Sequence, residues 1–461
     1  MRIRLIGGEN MTERILNLLE AHNFGELKPL LTSMNEVELS YVLEELSGKM
    51  RILLFRLMPK ELAAEVFVEL DRDVKEELLS SLTDAEVKRV VDELFADDAV
   101  DLVEEMPANV VKRLLRMSDG ETRKTINELL RYESDSAGSI MTTEFISFDC
   151  EITVAEALAK IRRRAIDSET IYTCYVTDKH RVLLGFVTVK TLLLADESTK
   201  IKELMDESVI YATTDDDREY VARMLAEYGF LALPIVDSER RIVGIVTVDD
   251  AMDVIEEETT EDIAKMAAVL PTGIPYLKRG VFAIFKSRIP WLLLLMVSAT
   301  FTGLIINSFE ARLNAISSVL FAVVPMMMDT GGNSGSQASV TVIRALSLGE
   351  LETSDVWRVL WKELRASLLL GVTLGVACFA KLLLVDNLLF GFSGYTVIRC
   401  FVISAALVAT VIIAKIVGCT LPILAKRMRL DPAVVASPFI TTVVDALSLM
   451  LYCSLAVAVL A

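Results

Sequence analysis

Apolar segments long enough to cross a lipid bilayer dominate the sequence after residue 288. They lie at about 289–307, 314–328, 366–384, 398–423 and 433–460. A helix needs roughly 20 mostly apolar residues to span the hydrocarbon layer. The sequence therefore predicts a domain of five transmembrane helices over residues 286–461, with the lipid bilayer as its surroundings.

The part of the chain before these segments is strongly acidic. Of 65 Asp and Glu and 47 Lys and Arg, only 9 acids and 11 bases follow residue 288, which leaves 56 acids and 36 bases in residues 1–288. Nucleic acids bind to clustered positive charge, so we expect no nucleic-acid partner and a preference for cations. Two isolated histidines and the absence of a CxxC pair exclude HExxH chemistry, and we expect no enzyme.

Residues 1–130 predict an all-α domain built from helical hairpins. In "LAAEVFVELDRDVKEELLSSL" apolar residues recur three and four positions apart, the spacing of one helix face. Two segments begin alike, at Met58-Pro59 and at Met106-Pro107, and proline is favoured in the first turn of a helix. The likeness indicates stacked hairpins.

A duplication follows, with one copy in residues 131–197 and the other in residues 198–262. "YVTDKHRVLLGFVTVKTLL" from Tyr175 aligns with "PIVDSERRIVGIVTVDDAM" from Pro234. Both copies resemble the CBS domain, a small α/β module that works in tandem pairs. Gly244, Thr247 and Asp250 of the second copy resemble the ribose-contacting pattern of nucleotide-binding CBS modules, which makes ATP a candidate ligand there.

Positive charge is distributed unequally between the two sides of the predicted membrane domain. Three basic clusters precede span one, separate spans two and three, and separate spans four and five: Lys278, Arg279, Lys286 and Arg288; Arg344, Arg358, Lys362 and Arg365; Lys426, Arg427 and Arg429. Cytoplasmic loops carry such an excess. We therefore expect a multi-pass protein of the cytoplasmic membrane, with a cytosolic N-terminus and an external C-terminus.

The second apolar segment ends in the polar sequence "PMMMDTGGNSGSQAS", residues 325–339. Pro325 cannot donate a backbone hydrogen bond, and Gly331, Gly332 and Gly335 permit non-helical backbone. Irregular backbone at membrane depth is tolerated where it lines a cavity. The segment predicts a helix that stops beside a polar path; the alternative is an ordinary helix end at the membrane surface.

Asp445 lies inside the last apolar segment. It follows Ala433 by twelve residues, which is roughly 18 Å of helix. A carboxylate at the bilayer centre costs on the order of 3 kcal/mol, so such acids usually face water, an ion or a partner. Lys415 could neutralise it as a structural ion pair. In a two-fold dimer, two copies of Asp445 would instead face a hydrated Mg²⁺ or Ca²⁺ on the axis, with Thr441 and Thr442 beside them.

Two acidic runs mark the part of the chain that precedes the membrane domain. Residues 249–262 contain eight acids and no base, and on a helix these acids would repel each other unless cations lie between them. Asp97, Asp98 and Asp101 form the other run. A solvated helix face is the alternative explanation for both.

Together these features resemble the MgtE-type magnesium transporters and channels. The likeness covers essentially the whole chain and is most specific in "DTGGNSGSQAS" and "DPAVVASPFITTVVD". It implies a linker helix over residues 263–285, a homodimer with its pore on the two-fold axis, and Mg²⁺ as both the transported and the regulatory ion.

The resemblance also implies roles for individual residues. In the pore, Asp445 would bind hydrated Mg²⁺, Asp431 would bind a cation at the cytosolic mouth, and Glu310 would lie in a short outer loop at the entrance. The other pore-lining residues would be Gly331, Gly332, Asn333, Gly335 and Gln337. The cytosolic Mg²⁺ sensor, which closes the pore, would comprise Asp97, Asp101, Glu219, Asp250, Asp253, Glu258, Glu261 and Asp262.

Gly229 stands where the resemblance implies a further acid of the sensor. Three alternatives for function stay open at this point. The first is a Mg²⁺ channel or transporter, and the second is a CBS-regulated transporter of another divalent cation, Mn²⁺ or Co²⁺. The third, a scaffold without transport, would leave Asp445 and the glycine-rich segment without a role.

Overall fold

The computed structural model describes residues 11–272, 276–392, 394–434 and 437–460. It divides between Ile255 and Glu256 into two compact units. The first unit contains short helices followed by two α/β modules. The second contains long apolar helices. The predicted fold class, helical domain, tandem α/β modules and helical membrane region, is confirmed in this form.

From residue 11 onward, where the described structure begins, ten short helices form the N-terminal part of the first unit. They are α1 Met11–Glu20, α2 Phe24–Thr32, α3 Glu36–Glu45, α4 Gly48–Leu57, α5 Lys60–Val68, α6 Arg72–Ser81, α7 Asp84–Val91, α8 Ala96–Glu105, α9 Ala108–Met117 and α10 Gly120–Leu129. Pro59 and Pro107 are the N-caps of α5 and α9, as the repeated Met-Pro pairs predict. Thr83 and Glu86 cap the N-terminus of α7 with reciprocal hydrogen bonds.

Each α/β module contains one three-stranded sheet, in which the first pair of strands is parallel and the second antiparallel. The first module consists of β1 Phe145–Asp149, α11 Val154–Arg164, β2 Thr170–Thr177, β3 Leu183–Thr188, α12 Val189–Leu194 and α13 Ile201–Leu204. The second consists of β4 Ala212–Thr213, α14 Arg218–Tyr228, β5 Ala232–Val236 and β6 Ile242–Thr247. The duplicated sequence thus corresponds to a duplicated structure.

The linker differs from the expected helix over residues 263–285. Helix α15, Val248–Met266, carries the acidic run and ends just after Lys265. Ala268 has a positive φ of 53°, and Pro271 follows, so the chain leaves the helix at this point. A new helix starts only at Val281, after the N-cap Gly280.

Six helices are present in the described residues of the second unit beyond the linker. They are α16 Val281–Ile316, α17 Ser318–Ala322, α18 Val324–Ser347, α19 Val356–Ala380, which continues as a π-helix over Lys381–Leu389, α20 Val397–Arg427 and α21 Ser437–Leu460. In the described part of the chain, four helical segments are long and apolar enough to cross a bilayer: Val281–Ile316, Thr353–Leu389, Val397–Arg427 and Pro438–Leu460.

The expected second span over residues 314–328 is wrong as one continuous helix. Ser317 adopts an extended conformation between α16 and α17, and Val323 separates α17 from α18. Pro325 lies in the first turn of α18, where its missing N–H group would have no helical partner in any case. The chain is broken before Pro325, and the polar residues that follow keep α18 below the hydropathy of a simple span.

The expected helix break at Gly331, Gly332 and Gly335 is also wrong, because α18 continues through all three glycines. A Cβ atom on Gly331 would lie 2.6 Å from Ser448 Oγ, and one on Gly335 would lie 2.9 Å from Val444 Cγ2. The glycines therefore allow α18 to pack closely on α21, as small residues do between membrane helices.

Gly418 of α20 packs against the backbone of α18, and a Cβ atom there would overlap the carbonyl oxygen of Gly335. We predict that Gly418→Ala lowers the free energy of unfolding of the detergent-solubilised protein by about 1–3 kcal/mol, because α18 and α20 must separate. Gly303→Ala is the matched control, since no atom lies within 4 Å of its Cβ position. Equal thermal stabilities of the two variants would contradict this packing.

Candidate functional site

Asp445 of α21 lies against the glycine face of α18. Its Oδ1 atom is buried and has no hydrogen-bond partner among the described residues, and a Cβ atom on Gly332 would lie 2.9 Å from it. The hydroxyl groups of Thr441 and Thr442 donate to the carbonyl oxygen of Pro438, at 2.8 and 3.0 Å. A buried acceptor without a donor is costly, so this carboxylate needs water or a cation.

Helix α18 has one buried face and one exposed polar face. Gly331, Gly332 and Gly335 are buried. The prediction that they line the pore together with Asn333 and Gln337 does not agree with these buried positions. Asp329, Asn333 and Gln337 are exposed at spacings of four residues and therefore share the other face. Asn333 donates from Nδ2 to Asp329 Oδ1 at 3.2 Å.

Lys415 does not neutralise Asp445. Its Nζ atom lies 3.6 Å from Oε2 of Glu363, which belongs to α19. Both side chains are largely buried between α19 and α20. Lys415 therefore forms its ion pair with Glu363 and not with Asp445, the alternative that the sequence left open. Lys415 does not compensate the negative charge of Asp445.

Glu310 lies within α16 and not in a loop, because α16 extends to Ile316. Its side chain is exposed. The predicted short outer loop at 308–313 is wrong for this reason: the residues "FEARLNAI" are compatible with helix and contain neither glycine nor proline. A role at the pore entrance stays a prediction.

Asp431 forms an ion pair with the end of the acidic helix α15. Lys265 Nζ lies 2.6 Å from Asp431 Oδ2 and 2.5 Å from Glu261 Oε1. Although burial acts to lower it, hydrogen bonds to Asp431 and Glu261 hold the pKa of Lys265 above its ordinary value. Burial and the nearby charge of Asp431 raise the pKa of Asp262. We call these four residues the Lys265 cluster.

A separate group of acids lies in the first unit, where hydrophobic packing brings α8 to the start of α15. Ala99 and Val100 of α8 share one core with Ala251 and Val254 of α15. The acids flanking these core residues are thereby forced together. We call the group the first acidic surface; it comprises Glu69, Asp97, Asp98, Asp101, Glu169, Asp249, Asp250 and Asp253.

The pKa values of these acids are raised because like charges are buried close together. Burial and then the charge of Asp250 raise the pKa of Asp97 well above its ordinary value. Burial is likewise the main cause for Asp98, Asp101 and Asp250, whose pKa values rise to about 6, about 7 and about 7. Burial and the charges of Asp249 and Asp250 raise the pKa of Glu169 to about 8.

The remaining predicted sensor residues are less closely associated. Burial and the charge of Asp253 raise the pKa of Glu69, which connects Asp253 to the first acidic surface. Glu219 lies in the first turn of α14, and Glu258 lies on α15 beyond the boundary of the first unit. Gly229 ends α14 with a φ of 66°, a conformation that disfavours an acidic residue there.

No three acidic, thiol or imidazole groups in the described parts of the chain converge closely enough to form a complete metal site. The acids of the first acidic surface are nevertheless close enough to raise each other's pKa, and Glu169 Oε2 is buried without a hydrogen-bond partner. Carboxylate oxygens that repel each other fit Mg²⁺ with part of its water shell, because this ion sheds water reluctantly.

The candidate nucleotide residues lie where β6 passes into α15: Gly244 is within β6, Thr247 ends it and Asp250 is in the first turn of α15. Thr247 donates from Oγ1 to Asp250 Oδ2 at 2.5 Å, so Asp250 belongs both to this pattern and to the first acidic surface. Gly244 allows close approach of residues 141 and 142, since a Cβ atom would lie 2.8 Å from the carbonyl oxygen of Thr142.

Sequence reasoning missed several residues of these groups. Glu69 and Glu169 lie far from Asp250 in sequence, and only tertiary packing brings them near it, so no local pattern marks them. Lys265 carried a signal, because a base four residues after Glu261 pairs with it on a helix. Asp329 carried one too, since it precedes Asn333 by one turn.

Family profiles match three parts of the chain. The profile described as "MgtE: Divalent cation transporter" matches residues 324–455. The MgtE intracellular N domain matches residues 34–135, and the CBS domain matches residues 137–198 and 201–257.

Similar proteins extend over nearly the whole chain. The magnesium transporter MgtE of Thermus thermophilus is 37% identical over 97% of this chain and 98% of its own length. That of Bacillus subtilis is 30% identical over 96% of each chain. A crystal structure of the cytosolic domain of the Mg²⁺ channel MgtE in complex with ATP is 37% identical, covers 53% of this chain and 99% of its own, and has a TM-score of 0.50. The chain belongs to the MgtE family.

Proposed function

We propose that this protein is a channel or transporter that carries Mg²⁺ into the cell and closes when cytosolic Mg²⁺ is high. Its full-length relatives are named magnesium transporters, which favours Mg²⁺ over the alternatives Mn²⁺ and Co²⁺. The observation that carries the proposal is Asp445, an acid with a buried unpartnered oxygen among apolar helices.

The pathway is formed where two copies of the chain meet. The exposed face of α18 carries Asp329, Asn333 and Gln337 in a unit whose other exposed helix faces are largely apolar. Polar side chains facing hydrocarbon are costly, so this face packs on a second copy or on water. A two-fold axis at this face gives a homodimer, and Asp445, which lies against Gly332 at the edge of the same face, borders the pathway in both copies.

The hydrated form of Mg²⁺ suits such a pathway. Mg²⁺ loses its water with difficulty, so a ring of carboxylate and amide oxygens that hydrogen-bonds to the water shell avoids the cost of dehydration. Two Asp445 side chains supply a charge that balances one divalent ion. The positive residues of the loops orient the N-terminus toward the cytosol.

Cytosolic Mg²⁺ closes the pathway by neutralising repulsion. In the first unit, Asp97, Asp98 and Asp250 are held near one another by hydrophobic packing and repel one another when ionised. A divalent cation among them stabilises the compact arrangement, and its loss favours separation. Such a local change of charge shifts an equilibrium between closed and open states.

The second CBS module is proposed as a nucleotide site, with Gly244, Thr247 and Asp250 as the contacting residues. A solved relative of the cytosolic domain is a complex with ATP. Because Asp250 also belongs to the first acidic surface, nucleotide and Mg²⁺ binding would be coupled there.

We predict that Asp445→Asn reduces Mg²⁺ uptake by more than about tenfold, because the amide removes the charge that stabilises a divalent ion in an apolar region. Uptake is measured with the purified protein in liposomes that contain a fluorescent Mg²⁺ indicator. Asp196→Asn, an exposed acid of the first α/β module, is the control and retains uptake. Normal uptake by Asp445→Asn would favour the scaffold alternative.

The first acidic surface predicts a stability that depends on pH and Mg²⁺. The folded-state pKa values of Asp98, Asp101, Asp250 and Glu169, about 6 to about 8, lie above the ordinary values near 4. The folded protein therefore holds more protons in this window, and its stability falls as pH rises from about 4 to about 8.

This fall is measured as the melting temperature of the full-length protein in detergent, with a chelator present. Added Mg²⁺ restores the melting temperature at about pH 8, because the cation replaces the lost protons. The double variant Asp98→Asn, Asp250→Asn flattens the pH profile. A profile that rises with pH in the chelator would show that these acids are stabilised in their ionised form, contrary to the proposal.

The Lys265 cluster predicts a second effect of the same kind. Lys265→Met leaves Glu261, Asp262 and Asp431 without their cation, and we expect the free energy of unfolding without Mg²⁺ to fall by about 1 kcal/mol. Mg²⁺ compensates for the loss. Lys362→Met, at an exposed position on α19, is the control. Equal melting temperatures of the two variants in chelator would contradict a stabilising role of the ion pair.

A further inference from the structure

Asp329 lies on the exposed face of α18, one helical turn before Asn333. The amide of Asn333 donates to its Oδ1 atom at 3.2 Å, which orients the carboxylate along this face. Asp329 precedes Gly332 by three residues, so the two positions are neighbours on the surface of α18.

Asp445 lies against Gly332, which brings its carboxylate toward the turn of α18 that carries Asp329. Gly332 makes this proximity possible, because a Cβ atom there would lie 2.9 Å from Asp445 Oδ1. Lys415 is occupied by Glu363, so it does not compensate the pair. Asp329 and Asp445 of the same chain thus lie at neighbouring positions, Asp329 on α18 and Asp445 against Gly332.

Two further buried oxygen atoms near this pair lack hydrogen-bond partners among the described residues. Ser448 and Thr410 are fully buried, and neither Ser448 Oγ nor Thr410 Oγ1 has a hydrogen-bond partner. Both side chains lie at Gly331, where a Cβ atom would be 2.6 Å from Ser448 Oγ and 3.0 Å from Thr410 Cγ2. Buried polar atoms are normally satisfied, so three such atoms around the two glycines, with Asp445 Oδ1, indicate an aqueous or cationic ligand.

We infer that Asp329 is a second carboxylate of the cation pathway and forms, with Asp445, a divalent-cation site to which each chain contributes two acids. The inference rests on the proposed function, since it concerns the affinity and selectivity of the same pathway. One acid per chain gives a dimer two negative charges at the site, whereas two acids per chain give four.

The additional charge discriminates between ions of different valence. At a given distance, the attraction of a carboxylate for a divalent cation is twice that for a monovalent cation. Each added carboxylate therefore increases the preference for Mg²⁺ over Na⁺ or K⁺. Asp329, at the exposed surface of α18, adds this preference without the cost of burying another charge.

The test measures Mg²⁺ influx into liposomes that contain the purified full-length protein, as a function of external Mg²⁺. Asp329→Asn is expected to raise the half-saturating Mg²⁺ concentration about tenfold while the maximal rate changes by less than about twofold. Asp329→Glu keeps the charge and restores the half-saturating concentration. Glu350→Gln removes an exposed acid beyond the end of α18 and serves as the matched control, with no change.

Asp445→Asn in the same assay separates this inference from the proposed function. If Asp445→Asn loses influx while Asp329→Asn keeps the half-saturating concentration of the unmodified protein, the inference is overturned and the proposed function stands. If Asp445→Asn transports normally, both fail. If Asp329→Asn shows no influx at any concentration but elutes normally from size exclusion, recovery by Asp329→Glu supports the inference and failure to recover overturns it.

Discussion

The close approach of Asp445 to the glycine face of α18 is the contact on which the proposed pathway depends. Gly332 leaves room for the carboxylate, and Gly331 and Gly335 allow α21 to pack beside it. A side chain at Gly332 would displace Asp445, and a wider helix separation would expose it to lipid. Because burial of a charge in an apolar region is costly, this geometry is stable only when water or a cation is present.

The same physical constraint operates in the first unit, with hydrophobic packing in place of glycines. Ala99, Val100, Ala251 and Val254 form a core that holds α8 against the start of α15. This core keeps the neighbouring acids together against their mutual repulsion, and the repulsion favours separation of the acidic surface. In the proposed function, a divalent cation among these acids removes the repulsion. Lys265 performs a related role at Asp431, where an ammonium group of the chain itself supplies the positive charge.

Local sequence patterns predicted much of this architecture. Helical periodicity and Met-Pro pairs identified the hairpins, duplicated strands identified the two modules, and Asp445 was found because an acid in an apolar segment is costly. The glycines were misread. Gly331 and Gly335 are four residues apart, a spacing that places them on one helix face and favours close packing over a break. The broken second span followed from Ser317, whose extended conformation has no clear local signal.

Long-range associations were beyond the reach of local patterns. Glu169 approaches Asp249 and Asp250 only after the first module folds and α8 packs on α15. The partner of Lys415 depended on which helix lies nearest, since both Glu363 and Asp445 were available in sequence. The packing of whole helices and strands decides which of these contacts form. The spacing of neighbouring residues in the sequence does not reveal that packing.

The most direct measurement is the position of a divalent ion in the membrane region of the proposed dimer, determined by anomalous scattering from crystals soaked in Mn²⁺ as a substitute for Mg²⁺. The account predicts a peak on the two-fold axis between the two Asp445 side chains, about 4–5 Å from the carboxylate oxygens because one water layer separates them. A dimer whose Asp445 side chains face lipid, with no ion between them, would contradict it.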